Sequence, residues 1–175
     1  MKKLKFNEVN EFRIIKNNFI DSIKTKKKFL SSAHNIKNLI KISRIIKNKY
    51  REGGKIYFAG NGGSASDANH LSSELISRLS KNRNTIPCGS LNGNISLVTA
   101  IANDYSYDNI FKRQIESNLN QNDIFFSITT SGNSKNIIEA LKICKKKKIT
   151  SILLTGKSGG IAKKYADLII NVPSN

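Results

Sequence analysis

The rhythm of apolar residues changes near residue 55. Before it, Phe6, Val9, Phe12, Ile15, Phe19 and Ile23 recur at steps of three and four, the spacing of one helical face. A second helix follows, capped by Ser31 or Ser32, with a stripe through Ile36, Leu39, Ile40 and Ile46 and an end before Gly53-Gly54. After that point, runs at 55–59, 85–89, 124–129, 149–155 and 167–172 read as strands. Segments at 64–80, 93–102, 107–119, 134–147 and 159–165 read as helices. Such alternation predicts an α/β fold, a parallel sheet covered on both faces, with its ligand crevice at the carboxyl ends of the strands. The two N-terminal helices are expected to pack on this fold or on another subunit.

A chain of 175 residues fits one domain with a sizeable core. The formal charge is +18, and residues 1–55 hold 16 Lys/Arg against 4 Asp/Glu, a surplus of 12. This balance raises a nucleic-acid reading. The cations are 24 Lys and 6 Arg, and Trp is absent, whereas specific nucleic-acid sites favour arginine forks and stacking aromatics. A nucleic-acid partner is therefore not expected, and the lysines read as solvated faces. The run Lys145–Lys148 ends a helix, where cations suit the macrodipole. Cys88 and Cys144 are far apart and read as free thiols of a reducing compartment. With no apolar run near the length of a membrane span and no signal-peptide core, the expectation is a soluble cytoplasmic protein with no membrane partner.

Two glycine patterns suggest nucleotides and fail. Gly60, Gly62 and Ala65 fit G-x-G-x-x-A between a strand and a helix, but no Asp or Glu stands between residues 75 and 103 to hold a ribose. Gly156-Lys157-Ser158 resembles the end of a triphosphate loop, but Ser151 stands where the motif needs its first glycine. No nucleotide cofactor is expected. The turns after the first and third strands agree with each other instead. Gly60-Asn61-Gly62-Gly63-Ser64 and Thr129-Thr130-Ser131-Gly132-Asn133-Ser134 are both small and open a helix. Helix N-termini offer unpaired N–H groups, and hydroxyls add donors, a combination that suits a phosphate monoester. Ordinary helix caps at Ser134 and at Ser64 or Ser66 account for each turn taken separately. On the helix after the first turn, His70, Glu74 and Arg78 fall at four-residue steps on one stripe. Glu74 is either a proton-transfer group beside a bound sugar phosphate or half of a surface pair with Arg78.

These blocks resemble the sugar-isomerase (SIS) domain family, and within it the phosphoheptose isomerases, from about Gly53 to Pro173. The match runs through Gly60-Asn-Gly-Gly-Ser-Ala-Ser-Asp-Ala-Asn-His70 and Ser73-Glu74-Leu75-Ile-Ser-Arg78. It continues through Ala102-Asn103-Asp104-Tyr105, Ser127-Ile-Thr-Thr-Ser-Gly-Asn-Ser134, Leu154-Thr155-Gly156-Lys157 and Val172-Pro173-Ser174. The resemblance implies a five-stranded, flavodoxin-like doubly wound sheet assembled as a homotetramer, with a helical region at 1–54 joining the subunit core and the SIS domain at 55–175. It implies conversion of sedoheptulose 7-phosphate to a glycero-manno-heptose 7-phosphate, at the entry to ADP-heptose for surface polysaccharide such as lipopolysaccharide. By motif, Asn61, Gly62, Gly63 and Ser64 line the sugar-phosphate site, Thr129, Thr130, Ser131 and Ser134 hold the phosphate, and Asn103 and Asp104 contact substrate. Glu74 matches the catalytic carboxylate that takes the C1 proton of the ketose. His70 and Glu74 match positions that bind zinc in some members.

The family continues past Val172-Pro173-Ser174 into a helix with a glutamine and a histidine, the second acid/base group. The only histidines here are His34 and His70. Three readings follow: a truncated or fragmentary enzyme, a non-catalytic sugar-phosphate-binding or protein/DNA-interaction form, or a weak isomerase working through Glu74 and water.

Overall fold

The computed structural model describes residues 8–80 and 82–174. Two helices come first, α1 (Glu8–Leu30) and α2 (Ala33–Arg51), then β1 (Ile56–Gly60), α3 (Gly63–Ile76), β2 (Cys88–Ser90) and α4 (Ile95–Asp104). A 3-10 turn at Tyr107–Asn109 leads into α5 (Ile110–Asn118), followed by β3 (Ile124–Thr129), α6 (Lys135–Lys147), β4 (Thr150–Thr155) and β5 (Leu168–Asn171). All five strands are parallel, in the order β2-β1-β3-β4-β5. This is the doubly wound order in which successive connections leave β1 and β3 in opposite directions, opening a crevice between their carboxyl ends.

Alternate strand residues feed two cores. Ile56, Phe58, Ile124 and Ile152 meet Ile42 of α2 and Ala68 of α3 on one face. Ala59, Phe125 and Leu153 meet Phe111 and Ile115 of α5 and Ile137 and Leu141 of α6 on the other. Ser32 caps α2 by accepting from the Asn35 amide. The inward face of α2 is Ile42, Ile45 and Ile46, whereas Ile40 is exposed. The Asn38 side-chain amide also donates to the Ile169 carbonyl and ties α2 to the edge strand β5. Phe6 lies outside the described residues, as does the side chain of Val9. The rest of that stripe, Phe12, Ile15, Phe19 and Ile23, is exposed along α1, which lies against α2.

Three expected elements are shorter than their patterns. The strand expected at 85–89 begins at Cys88, because Pro87 has no N–H for the ladder and gives only its carbonyl, to the Ile56 amide at 3.1 Å. The helix expected to reach residue 80 ends at Ile76. There the Arg83 guanidinium takes the carbonyls of Glu74 (2.9 Å) and Leu75 (2.8 Å), and the Ile86 amide also takes the Leu75 carbonyl (3.1 Å). Arg78 is therefore off the helix, and the expected stripe of three reduces to His70 and Glu74. The segment 159–165 forms only a 3-10 turn at Ala162–Lys164. Its leading amides go to a neighbouring turn, Ala162 to the Gly132 carbonyl (2.8 Å) and Ile161 to Asn133 Oδ1 (3.0 Å).

Candidate active site

The turns singled out in the sequence sit on neighbouring strands at the switch point. Gly62, at φ 56° and ψ −122°, is in a conformation that side chains avoid, and it swings the chain from β1 into α3. The amides of Gly62 and Gly63 find no acceptor among the described residues. The same holds for Lys135 and Asn136 at the start of α6. Four unpaired amides at two helix starts present partial positive charge towards the crevice. Ser134 occupies the N-cap position of α6, yet its hydroxyl makes no capping bond. Its Oγ lies 3.2 Å from Thr129 Oγ1. The ordinary cap account therefore fails for Ser134, and its hydroxyl is left for another partner. Thr130 and Ser131 are exposed beside it, and the Ser131 hydroxyl accepts from the Asn133 amide at 3.2 Å. Ser64 is half-buried under Gly60, and its hydroxyl caps nothing.

Side-chain amides lock the turns together. Asn61 Nδ2 donates to Asn136 Oδ1 (2.9 Å), and Asn136 Nδ2 donates back to Asn61 Oδ1 (2.8 Å). On the other side of β1, Asn92 makes a second reciprocal clamp. Its Oδ1 accepts from the Gly60 amide (3.1 Å), and its Nδ2 donates to the Gly60 carbonyl (3.0 Å). The β3 turn is pressed in turn onto the loop after β4: a Cβ on Gly132 would lie 2.0 Å from the Gly159 carbonyl oxygen, and the Gly156 amide donates to the Thr130 carbonyl (3.1 Å). The cradle is thus braced from three sides.

The other expected residues are placed less directly. Asn103 and Asp104 end α4 and are exposed, with Asn103 Nδ2 donating to Asp104 Oδ1 at 2.9 Å. No hydrogen bond joins them to either turn, but Tyr107, three residues on, donates its hydroxyl to Asn61 Oδ1 at 3.0 Å. His70 and Glu74 pair with each other, Nε2 to Oε1, at 3.2 Å, the histidine well exposed and the carboxylate half-buried. Arg78 takes no part in that pair. Glu74 stands eleven residues along α3 from Gly63, about 16 Å of helix rise, and helical side chains lean back towards the N-terminus.

Zinc fits these residues only in part. One histidine and one carboxylate are fewer than the three protein ligands of a catalytic zinc centre, and no group of three or more His, Cys, Asp or Glu gathers among the described residues. A cleft of about 740 Å³ between α1 and residues 172–174, walled by Lys24, Lys26 and Lys28, contains none of the cradle residues.

Sequence reasoning missed Asn92, Tyr107 and Asn136. A signal existed for Asn136. It falls four and eight residues before Ala140 and Cys144 on the buried face of α6, a polar residue where the stripe calls for an apolar one.

The strand order and the two braced turns define a doubly wound α/β protein whose ligand crevice lies at the β1/β3 switch point. The SIS domain model matches residues 18–156, and the chain belongs to that family. The match begins within α1 and ends after β4, so it takes in part of the N-terminal helical region as well as strands β1 to β4. The chain is 44% identical to phosphoheptose isomerase 2 of Campylobacter jejuni over 160 residues, covering 91% of this chain and 80% of that protein. It is 42% identical to the phosphoheptose isomerase of Sulfurimonas denitrificans, covering 93% and 84%. The structure superposes on a phosphoheptose isomerase from Francisella tularensis with a TM-score of 0.87 at 30% identity, covering 94% of this chain and 87% of that one.

Proposed function

We infer that the protein is a sugar-phosphate isomerase that interconverts sedoheptulose 7-phosphate and a glycero-manno-heptose 7-phosphate. The observation that carries this reading is the cradle at the switch point, where free amides and uncapped hydroxyls of two turns are held together by the Asn61–Asn136 pair. Kinship with phosphoheptose isomerases supplies the sugar. The amides of Gly62, Gly63, Lys135 and Asn136, with Thr129, Thr130, Ser131 and Ser134, receive the phosphate dianion. Asn61 and Ser64 line the adjoining sugar, with Asn103 and Asp104 approaching from the third loop.

At the far end, Glu74 acts as general base. It takes a proton from C1, the C–H electron pair becomes the C1=C2 bond, and the C2 carbonyl oxygen takes up a proton to give an enediol. Loss of the O1 proton then restores a carbonyl at C1, while the proton on Glu74 returns to C2. His70, in contact with Glu74, holds the carboxylate's orientation between turnovers. Adding sedoheptulose 7-phosphate to the purified protein and following the aldose signal by NMR tests this reading. Turnover is expected in the wild type, and Glu74→Gln is expected to lower kcat by about 10²–10⁴ while substrate still binds. A folded wild-type sample that neither binds nor converts the sugar overturns the reading.

Finer features belong to the same proposal. The apolar face of α1 is covered by further copies of the chain in a homotetramer. His70 and Glu74 are two ligands of a zinc site that other groups complete. No helix among the described residues is long and apolar enough to cross a membrane. A cytoplasmic location is part of the proposal, supported by a phosphorylated substrate that does not cross membranes unaided.

A further inference from the structure

Asn61 is the hub of a network whose hydrogen-bond directions can be deduced. The Ile137 backbone amide, which can only donate, meets Asn136 Oδ1 at 2.9 Å. That contact fixes which end of the Asn136 carboxamide is oxygen. Asn136 Oδ1 therefore faces Asn61 Nδ2, and Asn136 Nδ2 faces Asn61 Oδ1, at 2.9 and 2.8 Å. Tyr107, 3.0 Å from Asn61 Oδ1, has to be the donor there. With two donors on it, Asn61 Oδ1 is filled. One of the two Nδ2 hydrogens is used, and the other meets no acceptor among the described residues.

We propose that Asn136 and Tyr107 are positioning residues that hold the Asn61 carboxamide in one orientation, so that it meets the bound sugar phosphate only as an N–H donor. This rests on the isomerase reading of the same site. An amide free to flip would offer an acceptor half the time, repelling phosphate and alkoxide oxygens. Asn136 suits the role because it is only 2% exposed and sits in the first turn of α6, so it couples the β1 turn to the anion-binding amides. Tyr107 suits it because it joins the segment carrying Asn103 and Asp104 to the same atom. Its ring is 53% exposed, so removing its hydroxyl leaves the core intact.

The test uses Tyr107→Phe and Asn136→Asp in the full chain, with Asn61→Ala as the background for a double-mutant cycle. Tyr107→Phe is expected to raise the KM for sedoheptulose 7-phosphate about five- to tenfold, the worth of one hydrogen bond, with kcat within about twofold. Asn136→Asp, which sets oxygen against Asn61 Oδ1, is expected to raise KM further. On the Asn61→Ala background, Tyr107→Phe is expected to add nothing. The side-chain NH₂ resonances of Asn61, read by NMR in the free protein, are expected to shift and to exchange faster with water in Tyr107→Phe. Additive losses on the Asn61→Ala background, or unmoved Asn61 resonances in Tyr107→Phe, overturn the proposal. If the folded wild type neither binds nor turns over the sugar, the isomerase reading falls, and the Asn61 resonances still decide whether the carboxamide is held.

Discussion

Cys144 shows how one buried atom makes the fold sensitive to alkali. Its side chain is fully buried in α6. Burial, with the Asp167 carboxylate as a smaller contributor, pushes the thiol up to about 12, against a weaker pull down from Lys147. In the unfolded chain the same thiol ionises near 9. The folded state thus favours the protonated form. The stability this contributes is whole below pH 9 and is lost as pH rises towards 12, by up to about 1.4 kcal/mol per unit. The expected result is a melting temperature that falls more steeply above pH 9 in the wild type than in Cys144→Ala. Equal slopes would show that Cys144 contributes nothing to the effect. At this scale the sequence was informative where chemistry and spacing coincide, as in the hydroxyls of the β3 turn. It was silent about Asn92 and Tyr107, whose roles depend on partners 32 and 46 positions away.

The lysine run that ends α6 reads in sequence as compensation for that helix's own dipole. Lys147 does something more specific, reaching across to α5, where its Nζ donates to the carbonyls of Ile115 (3.2 Å), Glu116 (2.8 Å) and Leu119 (2.9 Å). It closes the end of a neighbouring helix: the Glu116 and Leu119 carbonyls would otherwise be left to water, while the Ile115 carbonyl also accepts from the Leu119 amide (3.2 Å). Lys147→Met is expected to destabilise the protein by about 1.5–3 kcal/mol in urea unfolding, the range for hydrogen bonds to a charged group. Lys146→Met, on an exposed position of the same run, should change it by less than about 0.5 kcal/mol. The elements themselves were legible because period and punctuation agree along most of the chain. The end at Ile76 was not, because Arg83 acts through hydrogen bonds to the Glu74 and Leu75 carbonyls that no local pattern displays; the late start at Cys88 was there to be read in Pro87, which lacks the ladder donor.

Over the whole molecule, the parallel sheet and its strand order follow from alternation and helical crossovers, and both were readable in outline. What the chain does with α1 was not. Phe12 and Phe19 are 68% and 70% exposed on its outer face, too much apolar surface to leave in water along a helix of 23 residues. Sedimentation equilibrium is expected to report a tetramer, and Phe12→Asp with Phe19→Asp a smaller species with the same circular dichroism. A wild-type monomer would remove the homotetramer from the proposal. The surplus of 12 positive charges in residues 1–55 includes the lysines and arginines exposed along α1 and α2.

The carboxamide bridge between Asn61 and Asn136 closes a loop of 75 positions. No stretch of the chain shorter than that can bring the two turns together, so the proposed anion site is assembled only when β1, β3 and α6 have met. A ligand held by both turns therefore stabilises the folded sheet as a whole, and its binding free energy adds to the free energy of unfolding across that span.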